Sequence, residues 1–142
     1  MDNKVLRIVI LAIVVVLAAL FIIPTTAFPK DTTVKSAVAV IVKEPGNIDG
    51  SYGLNETGCA ALSEQLKGGK CVFSLVSEKR LSSMTWTKIT LFAGRNGSDK
   101  YENSTLYVMD DGIFMYREGA LLGRKLTGAD ADKLIEAAGH HE

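Results

Sequence analysis

Residues 33–43 read TVKSAVAVIVK, from Thr33 to Lys43. Val34, Val38, Val40 and Val42 share one parity, and Ala37, Ala39 and Ile41 share the other. Branched side chains suit a pleated backbone. A strand that is apolar on both parities is covered on both faces, so this one is expected inside its sheet. Lys35 and Lys43 mark its wet ends.

Beyond it lies Glu44–Gly58, EPGNIDGSYGLNETG, which reads as irregular chain. Four glycines, Pro45, Asn47 and Asn55 favour turns there. A loop of this length is either a solvated connection or a binding loop. It lacks the glycine spacing and the Lys-Ser/Thr ending of a phosphate cradle.

Gly58–Lys67 reads as a helix. Cys59, Leu62 and Leu66 repeat at helical spacing on its inner stripe. Thr57 or Asn55 can cap it, and Gly68-Gly69 ends it. Lys70–Ser77 is the next strand, with Cys71, Phe73 and Leu75 on one face and Val72 and Val76 on the other. Strand, helix and strand in this order predict a parallel crossover.

Downstream the pattern turns antiparallel. Glu78–Met84 is polar connection, and Thr85–Ala93 alternates as a strand. Ser104–Met109 and Ile113–Arg117 flank Asp110-Asp111-Gly112, a hairpin turn signal. A further strand fits 120–126, ALLGRKL. Thr127-Gly-Ala-Asp130 is a capping-box variant opening a helix over Ala129–Ala138, with Ala131, Leu134, Ile135 and Ala138 inward.

Upstream lies Val5–Ile23, VLRIVILAIVVVLAALFII. At ~1.5 Å per residue such a helix covers about 28 Å, near the ~30 Å thickness of bilayer hydrocarbon. The stretch is either a retained membrane anchor or a signal peptide cleaved after Ala27. Its apolar core is longer than the ~7–15 residues usual in a signal peptide, which favours the anchor. Lys4 and Arg7 precede the core and place residues 28–142 outside the cytoplasm. The expected organisation is an anchor over 1–27, a linker over 28–33, an extracytoplasmic domain over 34–139 and a tail over 140–142. The expected fold is an α/β (α+β) two-layer sandwich: β-α-β, then an antiparallel meander and a C-terminal helix, preceded by one transmembrane helix.

The composition narrows function mainly by exclusion. The 142 residues carry 16 Lys/Arg against 16 Asp/Glu, and this balance gives no basic face for nucleic acid. Three of the five asparagines head an N-glycosylation acceptor: Asn55-Glu-Thr57, Asn96-Gly-Ser98 and Asn103-Ser-Thr105. Cys59 and Cys71 are candidates for a disulfide in an oxidising compartment, or for two buried thiols. Cys59 also falls in the first turn of the expected helix, where the dipole lowers a thiol's pKa. The only histidines are His140 and His141, beside Glu142, which is too few ligands at poor spacing for a metal site. No cofactor is expected. Trp86 and Phe92 would form an exposed aromatic patch if they face away from the helices.

These features point to a non-catalytic accessory or interaction subunit of a membrane or envelope complex. It would be held in the lipid bilayer through residues 5–23 and would bind protein partners, not nucleic acid. Two alternatives stand beside it. An apolar N-terminal helix with a β-rich head resembles the plan of type IV pilins, which implies a filament subunit. No glycine cleavage site with a following glutamate precedes the apolar run, however. The other alternative is a thiol-dependent enzyme using Cys59.

Overall fold

The computed structural model describes residues 2–45, 47–81, 84–95, 100–118, 120 and 122–139. An apolar helix, α1 (Asn3–Ile22), opens the chain. Strands β1 (Thr25–Thr26), β2 (Thr32–Val42) and β3 (Gly50–Gly53) follow. Then come α2 (Glu56–Leu66), β4 (Lys70–Ser74) and the short α3 (Glu78–Leu81). The chain closes with β5 (Trp86–Arg95), β6 (Tyr101–Met109), β7 (Gly112–Arg117), β8 (Gly123–Thr127) and α4 (Ala131–Ala138).

The eight strands form one sheet in the order β1-β4-β8-β7-β6-β5-β2-β3. Every ladder between neighbours is antiparallel. The fold is therefore α+β, and the parallel crossover expected from β2, α2 and β4 does not form. The local strand-helix-strand pattern cannot see what is inserted later. The β5–β8 meander fills the space between β2 and β4, so five antiparallel steps separate them and they run in opposite directions.

As expected, β2 is flanked on both sides, by β5 and β3. Its two faces differ from the parity reading. A bulge between Val34 and Ser36 shifts the register and moves Val34 onto the same face as Ala37 and Ala39. An extra residue at a bulge reverses the alternation beyond it. β3 occupies part of the stretch read as loop, pairing Gly50–Gly53 with β2.

The main core lies between the sheet and the pair α2/α4. Leu62 and Leu66 from α2, and Leu134 and Ala137 from α4, meet Ile89, Leu91, Leu106 and Met115 from the sheet. Truncating a fully buried leucine such as Leu62 costs about 2–5 kcal/mol. On α4, Ala137 replaces Ile135 on the inner face, and Ile135 stands exposed. The helix also starts later than the pattern predicts. Asp130, not Thr127, is the N-cap: its Oδ1 accepts from the backbone N–H of Asp132 at 3.0 Å and of Lys133 at 3.4 Å. Thr127 is spent as the last residue of β8.

Two turn signals hold as read. Gly68, at φ +74°, ends α2, and Gly112, at φ +142°, opens β7 after the Asp110-Asp111 turn. Both sit where a side chain is strained.

Candidate functional site

Three features of the surface carry information about function: the exit of α1, the sheet face away from the helices, and a cavity behind residues 27–32.

α1 has no buried residue, and it is long and apolar enough to cross a membrane. Its exit is built into the domain. Thr25 and Thr26 form β1 on the edge of the sheet, opposite Cys71 and Lys70. The next two N–H groups, of Ala27 and Phe28, both donate to the Gly69 carbonyl, at 2.9 and 3.2 Å. Ala27 and Phe28 are buried core residues. Arg117 reaches from β7 to donate through Nη2 to the Ala27 carbonyl, and its guanidinium lies 6.0 Å from the centre of the Phe28 ring. Next to its last residue, α1 also touches the sheet: the rings of Phe21 and Phe73 lie 6.2 Å apart, centre to centre.

The face away from α2 and α4 carries the aromatics. Trp86 and Phe92 both lie there, and they have separate fates. Trp86 is covered by the chain between β4 and β5. Its Nε1 donates to the Leu81 carbonyl at 2.9 Å, and its ring meets Tyr107 edge-on at 5.1 Å. Tyr107 donates to the Glu78 carboxylate at 2.9 Å and contacts Tyr116 at 5.6 Å. Leu81, Tyr107 and Phe114 form the buried centre of this second cluster. The stretch read as a polar connection is thus a cover, with α3 placing Leu81 as its plug. Burial chiefly, and then Glu78, push the Tyr107 hydroxyl well above its ordinary pKa; burial and the Glu78 charge do the same at Tyr116. Phe92 lies outside this cover. It contacts Tyr101 at 5.3 Å, and the Lys35 ammonium stands 6.0 and 5.3 Å from the two ring centres.

A cavity of about 430 Å³ opens between residues 27–32 and the ends of the central strands, with Phe28, Thr32, Glu102, Ser104 and Arg117 in its lining. Its size is that of a small-molecule pocket. Thr32 and Ser104 are buried, and the Thr32 hydroxyl has no hydrogen-bond partner among the described residues. Among the described residues, the lining contains no His or Cys. Nothing in the sequence pattern marked Thr32, Ser104 or Arg117, because the β7–β2 proximity that assembles them is non-local.

The residues singled out from sequence are dispersed. Cys59, on α2, and Cys71, on β4, are both buried free thiols. Burial pushes the Cys59 thiol up, against a smaller opposing effect from a hydrogen bond with the Ala37 backbone. Burial is the larger effect, so this thiol is raised where its place in the helix predicts a lowering. Cys71 lies beside Thr25, whose hydroxyl is 3.9 Å from its sulfur. Asn55 is the N-cap of α2, accepting through Oδ1 from the Gly58 N–H at 2.9 Å. Asn103 stands exposed on β6 and donates to Glu118 at 3.2 Å. Asn96 and the 140–142 tail lie outside the described residues. Among the described residues, no three His, Cys, Asp or Glu side chains are grouped to hold a metal ion.

No protein-family model matches this chain, and comparison with curated proteins and with solved structures gives no match.

Proposed function

We propose that the chain is a membrane-anchored, non-catalytic accessory subunit, with its α+β domain on the extracytoplasmic side and α1 retained as a single span. The observation that carries this reading is the construction of the α1 exit. Cleavage after Ala27 would remove β1, strip the Cys71–Lys70 edge of its partner, and cut the chain at a core residue held by Gly69 and Arg117. A signal peptide is discarded before its mature domain is complete, so the domain gains nothing from building in residues that will be lost. Lys4 and Arg7, on the N-terminal side of the apolar run, support the orientation.

The subunit role is supported by the dispersal of the candidate chemical groups and by α1 itself. Ala12, Ala18 and Ala19 interrupt its large side chains and allow a neighbouring helix to approach closely. The test is migration of the full chain on a native gel after extraction in mild detergent. A subunit runs within an assembly larger than itself, and replacing α1 by an unrelated apolar helix of equal length shifts it down. A chain that runs alone in every mild detergent contradicts the role.

A further inference from the structure

β4 runs back toward the place where α1 leaves the membrane. The direction follows from the register. The chain departs from α1 along β1, and β1 is antiparallel to β4, with Thr25 opposite Cys71 and Thr26 opposite Lys70. Moving along β4 from Lys70 to Ser74 is therefore movement toward α1. The contact between Phe21 and Phe73 confirms the sense, because Phe21 is next to the last residue of α1.

The depth follows from the length of α1. Its 20 residues cover about 30 Å, which is the whole hydrocarbon thickness of a bilayer. None can be spared, so Phe21 sits at the hydrocarbon boundary, and Phe73 sits there with it. Leu75 lies two residues further on, just past the end of the strand. It is 80% exposed. The sequence pattern had placed it on the Cys71 and Phe73 face; the strand ends at Ser74 instead and Leu75 leaves the sheet. Across the ladder Ser74 pairs with Gly123, which brings Leu122, also exposed, beside it. Behind this apolar tip, the Arg124 guanidinium stands 5.2 Å from the Phe73 ring centre, where a long cationic side chain can reach headgroup phosphates.

The geometry points to a second membrane contact: the β4–β8 end, through Leu75 and Leu122, enters the interfacial layer of the same bilayer that α1 spans. The occupant of this surface is lipid. The contact would fix the tilt of the domain, which a single span followed by a flexible linker would leave free. It rests on the reading of α1 as a retained span.

The experiment is site-directed spin labelling of the full chain in vesicles of phosphatidylcholine and phosphatidylglycerol. Nitroxides are placed at Leu75→Cys and Leu122→Cys, with Val15→Cys in α1 as the lipid reference and Ile48→Cys, 70% exposed, as the aqueous reference. The unsubstituted chain taken through the same labelling gives the background from the buried Cys59 and Cys71. Collision with oxygen is compared with collision with a water-soluble nickel chelate. The expected result is an oxygen-to-nickel ratio at Leu75 and Leu122 several-fold above that at Ile48 and approaching that at Val15. A ratio at Leu75 and Leu122 equal to that at Ile48, with Val15 still in lipid, overturns the contact and leaves the anchor standing. An aqueous ratio at Val15 overturns both.

Discussion

The guanidinium of Arg117 donates to the carbonyl of Ala27 across 90 residues of sequence, joining β7 to the segment that leads out of α1. A hydrogen bond from a charged donor contributes roughly 1.5–3 kcal/mol when buried. Here the Arg117 side chain is 30% exposed and its ion pair with Glu102 is long, at 3.9 Å, and mostly solvated. The ion pair therefore adds little, and Arg117→Ala is expected to cost about 1–2 kcal/mol. Thermal unfolding of the full chain in detergent measures the loss. Glu102→Ala, measured alongside, should change stability far less.

Tyr107 supplies a pH dependence. In the folded state its hydroxyl holds its proton more tightly than in the unfolded chain, because burial and the Glu78 carboxylate both disfavour the phenolate. Stability from this source is complete below the unfolded value, about pH 10, and is lost as pH rises above it. Tyr107→Phe removes the titrating group and keeps the ring against Trp86. Its unfolding temperature should fall less steeply above about pH 10 than that of the unsubstituted chain. A residual slope is expected from Tyr116, which is raised in the same sense.

Asn55 is the cap of α2 before it is anything else. Asn55→Ala should destabilise the domain by about 0.5–2 kcal/mol, whereas Asn55→Asp should hold most of the stability. Asn55 is half-buried at the cap, while Asn103 stands exposed on β6, where its Nδ2 meets only the Glu118 carboxylate among the described residues. If the chain is glycosylated in its native membrane, Asn103→Gln is expected to remove more of the enzymatically releasable sugar mass than Asn55→Asp.

Cys59 should be slow to react. With the side chain buried and its thiol pushed up, alkylation of the folded chain at neutral pH is expected to lag well behind a free-thiol peptide. Unfolding in denaturant should abolish the difference. Alkylation faster than the peptide would instead favour a thiol-dependent enzyme.

Much of the fold was legible because it is local. The stripe of Cys59, Leu62 and Leu66 marked α2, the Asp110-Asp111-Gly112 turn marked the β6–β7 hairpin, and the length of the apolar run marked α1. What the sequence concealed depends on distant partners. Thr25–Thr26 looks like the end of the anchor and becomes a strand only because β4 offers an edge. Glu78–Leu81 looks solvated, and becomes a cover because Trp86, Tyr107 and Tyr116 need one. The Val34/Ser36 bulge leaves no mark in a run that is apolar on both parities, since either register reads alike. The cavity behind residues 27–32 needs Thr32 and Arg117 together, 85 residues apart in sequence, and no spacing rule connects them.

The central claim is that α1 stays attached to the domain whose edge it completes. The most direct measurement is the intact mass of the protein recovered from its native membrane after alkaline washing. A retained anchor predicts a chain in the membrane pellet whose mass includes Val5–Ile23. A chain that begins at Phe28 and appears in the soluble fraction would contradict it, and would show that the domain stands without β1.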